Sequence, residues 1–129
     1  MIDTHTHLYV EAFDEDREEA IQNAISEGIT DFYIPAIDSD YHQRMFDLEK
    51  AYPERVHLMM GLHPTHVKEN FKEELDLVKY YLDARNFAAV GEIGIDLYWD
   101  KSFQTQQQHA FDQQISWAKS KGLPIVIHC

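Results

Sequence analysis

Phe87-Ala88-Ala89-Val90-Gly91-Glu92-Ile93-Gly94-Ile95-Asp96 is an apolar run that carries one acid near its middle and ends on another. Such a run predicts a strand, and its almost unbroken apolar character predicts one covered on both faces of a parallel sheet. An unpaired charge inside such a strand is costly, so Glu92 is expected to meet a compensating partner. Similar runs occupy Ile29 to Ile37, Val56 to Leu62 and Leu123 to Ile127, with a shorter one around Ile2.

Helical patterns lie between these runs. Ala20, Ile21, Ala24 and Ile25 share one face and stop at Gly28; Tyr41, Met45, Leu48 and Tyr52 share a second that stops before Pro53. Leu75, Val78 and Leu82 mark a third helix, and Phe111, Ile115 and Ala118 a fourth that ends at Gly122 with Pro124 beyond. Glycine and proline at these positions are helix-ending signals. The alternation of five strands and four helices predicts an α/β fold with parallel crossovers, and no linker or low-complexity segment divides residues 1–129.

Five such strands suit an open doubly wound sheet or part of a (β/α)8 barrel. Polar groups recur at the C-terminal ends of successive strands, where barrels place their sites. The first strand is followed by Leu8-Tyr9-Val10 rather than by a G-x-G-x-x-G turn. Both points favour the TIM-barrel type. A whole barrel needs about 250 residues, so about half of one is expected, at the N-terminal end of a single domain.

The 129 residues are 44% hydrophobic and 26% charged, with a mean hydropathy of -0.47. No run approaches the ~18 apolar residues of a membrane span, and no basic and apolar leader opens the chain. With Cys129 the single cysteine, the expectation is a cytoplasmic protein. The net charge of -12, from 11 basic and 23 acidic residues, argues against a broad duplex-DNA footprint. Acids at 14–16 and at 73, 74 and 76 fall where helices begin, which carboxylates favour, and they read as solvated helix positions.

The candidate chemistry sits at strand ends. In Asp3-Thr4-His5-Thr6-His7, strand alternation would place Asp3, His5 and His7 on one face. Gly61-Leu62-His63-Pro64 closes the third run, Glu92 and Asp96 close the fourth, and His128 follows the fifth. Imidazoles with a carboxylate make a mixed nitrogen and oxygen site for zinc, manganese or similar ions. A carboxylate such as Glu92 can bridge two ions, and bound metal makes hydroxide available at neutral pH. Gly91 and Gly94 would allow backbone or substrate to come close to Glu92. His63 also suits a polar cap on a turn. Tyr98 and Trp99 suit either stacking on a base or covering the rim. His42 and His109 fall within helical patterns and His57 near a strand start, so these three read as structural; His66 stays open.

Asp3-Thr4-His5-Thr6-His7-Leu8, Gly61-Leu62-His63-Pro64, Gly91-Glu92-Ile93-Gly94-Ile95-Asp96 and Leu123 through Cys129 together resemble the TatD family, metal-dependent DNases of the amidohydrolase superfamily on a (β/α)8 barrel. The glutamine-rich stretch from Phe103 to Gln114 matches the same family. The resemblance implies that His5, His7 and Glu92 hold a first divalent ion and that Glu92 and His128 help hold a second, with Zn, Mn or Mg as candidates. It places His63 near the substrate phosphate and makes DNA ends or single strands the expected substrate. The family's further metal-binding histidine and late catalytic aspartate match no position here, so no catalytic residue is assigned. Two other readings remain: an amidohydrolase acting on a small amide or ester, and a non-catalytic fragment that self-associates or meets a complementary C-terminal half. Some amidohydrolases carry a modified lysine at the bridging position, and Glu92 there favours the TatD reading.

Overall fold

The computed structural model describes residues 2–3, 6–98 and 100–128. Its strands are β1 (Ile2–Asp3), β2 (Asp31–Ile34), β3 (Val56–Met60), β4 (Ala89–Ile93) and β5 (Ile125–Ile127). Between them stand α1 (Arg17–Ser26), α2 (His42–Ala51), α3 (Phe71–Ala84) and α4 (Gln104–Lys121). Every pairing is parallel, and the strand order is β1-β2-β3-β4-β5. A doubly wound sheet reverses its order at a switch point, whereas a barrel adds each strand beside the last. The sequential order makes this a five-stranded, four-helix half barrel of the (β/α)8 type.

β4 supplies the centre: all five of its residues are buried. Phe32 and Ile34 of β2, Val56, Leu58 and Met60 of β3, and Val90 and Ile93 of β4 join Ile21, Met45, Leu48, Leu75, Val78 and Leu82 from the helices in one core. β2 departs from the expected continuous burial. It alternates half-buried and buried residues, with Asp31 and Tyr33 on the less covered face. His57, paired in register with Tyr33, lies on that face and bonds Asp31 at 2.8 Å, in keeping with its structural reading.

The apolar runs extend past the regular strands, and their ends are laced together. Ala36 N–H donates to Gly91 O (2.9 Å), Glu92 N–H to Ala36 O (3.3 Å), His63 N–H to Ile37 O (2.9 Å) and His128 N–H to Ile93 O (2.8 Å). These bonds bring the ends of β2 to β5 together at the edge where the candidate ligands stand. Gly91 is required for the same approach, because a Cβ there would lie 2.8 Å from Val126 Cβ. At Gly94 the neighbour would be His128 O at 3.2 Å. The space beside Glu92 is thus filled by the β5 segment, by the Val126 side chain at Gly91 and the His128 backbone at Gly94.

Two expectations change, and the alternation over Asp3, His5 and His7 falls partly outside the described residues, which omit His5. Past β1, Thr6 N–H still donates to Tyr33 O (3.3 Å), and His7 follows it. Arg17 donates to the carbonyls of Leu8, Tyr9 and Val10 (2.5–3.1 Å), and Arg44 to that of Tyr9 (3.2 Å), holding this loop to α1 and α2. Glu74 is no solvated helix-start acid. It is 8% exposed and accepts from Ser39 N–H (3.0 Å) and Ser39 Oγ–H (2.6 Å), closing the turn before α2. Finally, the buried stripe of α4 is Gln107, Ala110, Gln114 and Ala118, while Phe111 and Ile115 are half-buried. Among the described residues no helix is long and apolar enough to cross a membrane.

Candidate metal centre at the strand ends

Glu92 is 3% exposed at the C-terminal end of β4, and imidazoles from three other segments face it. His63 Nε2 lies 2.7 Å and His128 Nδ1 2.9 Å from Glu92 Oε1. His7 Nε2 stands 3.9 Å from Oε2. His63, Glu92 and His128 can each offer a ligand atom, all within 4.8 Å of one another. A buried carboxylate ringed by imidazoles fits a divalent cation: it supplies the compensating charge that neutral rings lack. The gap from His7 Nε2 to Glu92 Oε2 is too long for a hydrogen bond, yet within the ~4.2 Å that two metal–ligand bonds span end to end.

The hydrogen bonds separate the roles of the three rings. His63 caps the short turn at Pro64–His66, where its Nδ1 accepts from the Thr65 backbone N–H at 3.2 Å. A backbone N–H can only donate, so neutral His63 carries its proton on Nε2 and donates to Glu92. It is both the turn cap and the group facing the carboxylate. His128 has a carboxylate at each nitrogen, Glu92 at Nδ1 and Asp96 Oδ2 at Nε2 (2.8 Å). Partial burial opposes its charged form, but the bonds to Asp96 and Glu92 outweigh that and raise its pKa. Asp96 answers in the opposite sense: the Tyr98 backbone N–H and then His128 hold its carboxyl below the usual range.

These shifts give a pH prediction. The His128 pKa is raised on folding, so its pairing contributes full stability below the unfolded value of about 6.5 and loses it as pH rises through the folded value. A cation bound at Nδ1 must displace that proton, so affinity moves the other way. Affinity for Mn²⁺ is expected to climb by up to about tenfold per pH unit between about pH 6 and the folded pKa, with proton release seen by calorimetry in two buffers. A flat profile without proton release would exclude His128 as a ligand.

The buried amides of α4 escape a reading by hydrophobic period. Gln107 accepts from Asp96 N–H (2.7 Å) and donates to Asp96 O (3.0 Å), setting the residue that orients His128. Gln114, 1% exposed, accepts from Leu62 N–H (2.7 Å) and donates to Ala110 O (3.1 Å), setting the chain just before His63. Their signal in the sequence is the seven-residue spacing, which places both on one helix stripe.

Tyr98 is 82% exposed on the loop after Asp96, and Trp99 lies outside the described residues. His66 sits beside His63, with Nδ1 3.1 Å from Thr65 Oγ1 and Nε2 3.9 Å from Asp38 Oδ2; burial pushes its pKa down. His109 is exposed on α4 and His42 buried in α2, away from the cluster.

The model of the family described as TatD related DNase matches residues 2–129. A metal-dependent hydrolase of Bacillus subtilis, YabD, is 33% identical over 99% of this chain and 50% of its own length. The 3'-5' ssDNA/RNA exonuclease TatD of Pantoea ananatis is 28% identical over 100% and 50%. The crystal structure of the TatD homologue YjjV from Escherichia coli superposes with a TM-score of 0.89 at 32% identity, covering 99% of this chain and 50% of that one. The chain therefore spans about half the length of the curated relatives it matches, and the strand ends that gather around Glu92 do so in a protein that belongs to the TatD-related DNase family.

Proposed function

We propose that the protein acts in metal-dependent hydrolysis of phosphodiester bonds, trimming DNA or RNA from exposed single-stranded ends. The observation that carries this reading is the buried Glu92 carboxylate ringed by His7, His63 and His128. The family and the exonuclease name of its Pantoea relative supply the substrate class. The acidic charge of -12 supports short or single-stranded substrates over long duplex.

Two divalent ions, with His5, His7, Glu92 and His128 as their ligands here, would supply the nucleophilic water and the charge that stabilises phosphoryl oxygens. The remaining work belongs to this chain's own groups. With Glu92 engaged by a cation, the His63 Nε2–H would be available as a donor to a non-bridging phosphate oxygen. Asp96 holds the Nε2–H of His128 and would leave its Nδ1 available as a ligand, the usual service of a carboxylate behind a ligating histidine. Tyr98, exposed beside Asp96, offers a ring for an unstacked base.

Ile2 at one edge strand and Ile125 and Ile127 at the other are 54%, 37% and 48% exposed. Together with the half-length match, these edges support a reading in which further strands complete the barrel and contribute the group that orients the attacking water. The test offers single-stranded DNA, RNA, aminoacyl esters and cyclic amides to the protein with Mn²⁺, with Zn²⁺ and with chelator. Nucleotide release from single strands that chelator abolishes is the expected result. Turnover of the amides or esters alone, or cleavage resistant to chelator, would overturn the proposal.

A further inference from the structure

Tyr9 is 1% exposed, although it lies in a loop, and its ring packs 5.7 Å from that of Tyr41. Its hydroxyl meets two groups. Pro35 O lies 2.6 Å away, and His7 Nδ1 lies 3.2 Å away. A carbonyl oxygen can only accept, so the one phenolic proton goes to Pro35. The phenolic oxygen is then an acceptor toward His7, and the ring must present Nδ1–H to it. A neutral imidazole protonated at Nδ1 has its lone pair on Nε2, the atom 3.9 Å from Glu92 Oε2.

We infer that Tyr9 is a positioning residue that fixes His7 as the Nδ1–H tautomer and aims Nε2 at the cation shared with Glu92. Pro35 follows directly on β2, so the phenol ties the loop after β1 to the end of the neighbouring strand. The same tyrosine is anchored through its backbone, where Tyr9 O accepts from Arg17 Nη2 at 3.1 Å and Arg44 Nη1 at 3.2 Å. Both guanidiniums also bind Asp14, at 2.9 and 2.6 Å, which closes the brace. The short Asp14, Arg17 and Arg44 network, outside the metal centre, thereby controls one of its ligands. In the metal-ligating role given to His7 the inference rests on the proposed metal centre; the tautomer itself does not.

The test starts on the metal-free protein with ¹⁵N-labelled histidine rings, where long-range ¹H–¹⁵N correlation reads the His7 tautomer directly. The unaltered protein is expected to show Nδ1–H, and Tyr9→Phe a mixture or the opposite tautomer. Mn²⁺ titration is then expected to show affinity about 10–100-fold weaker in Tyr9→Phe, the usual effect of losing such a support. An Nε2–H tautomer at His7 in the unaltered protein overturns the inference without recourse to any variant. So does a Tyr9→Phe protein with unchanged tautomer and affinity. An unaltered protein that shows Nδ1–H at His7 but no saturable Mn²⁺ binding overturns the metal centre instead, and with it the role assigned to Tyr9.

Discussion

Replacing Glu92 by Gln is expected to weaken Mn²⁺ binding by about 10²–10⁴-fold and to reduce metal-dependent cleavage at least as much. The side chain keeps its size, but a buried negative charge is removed from a site whose other members are imidazoles. Breaking one partner of a buried charged cluster costs about 3–5 kcal/mol, which as a binding free energy is about two to four powers of ten. The amide can keep its oxygen toward His63 and His128, but it then turns toward His7 an N–H₂ that has no lone pair to offer a cation. A second consequence is independent of any metal. Glu92 helps raise the His128 pKa, so that value is expected to fall in the variant, as followed by NMR titration. Far-UV circular dichroism checks that the fold is retained. Unchanged Mn²⁺ affinity in a folded Glu92→Gln protein would remove Glu92 from the centre of the site.

Gln114→Leu is expected to destabilise the protein by about 2–4 kcal/mol, although it replaces a polar residue with an apolar one of similar volume in a buried position. The amide accepts from Leu62 N–H, and no leucine can do so. A buried N–H stripped of its acceptor costs about 1–3 kcal/mol, and branching at a tightly packed contact adds to it. The contact is tight: a Cβ on Gly61 would stand 3.1 Å from Gln114 Oε1. Leu62 immediately precedes His63, so the loss should also loosen the donor aimed at Glu92. The urea midpoint measures the effect, with Gln108→Leu on the exposed face of the same helix as the control, expected within about 0.5 kcal/mol of the parent. Equal midpoints for the two variants would show that the Gln114 amide does not anchor the end of β3.

The contrast between these two residues explains what could be read from the chain before its fold was known. Glu92 is conspicuous because a carboxylate in an apolar strand demands a partner, and that demand is local. Gln114 is inconspicuous because glutamine on a helix ordinarily faces water, and only the packing of α4 on the ends of β3 and β4 turns it inward. The same reasoning covers Glu74. Its position in the first turn of α3 suggested a solvated acid, whereas the fold brings Ser39 to it and buries it. The apolar runs outreach the regular strands for a related reason. Hydrophobicity reports burial, and the residues just past β2, β3 and β4 are buried while their backbone bonds leave the regular ladder.

By itself, the sequence determined the alternation of strands and helices, the parallel half barrel, and the strand ends that carry His63, Glu92 and His128. Those properties follow from short-range periodicity and from the cost of burying polar groups. Tertiary structure alone decided which nitrogen of each histidine faces Glu92, since a tautomer depends on the partner at the ring's far side. For His63 that partner is the Thr65 N–H, for His128 it is Asp96, and for His7 it is Tyr9, whose proton is committed to Pro35. Pro35 is 26 residues from Tyr9 and Asp96 is 32 from His128, separations that no local pattern spans.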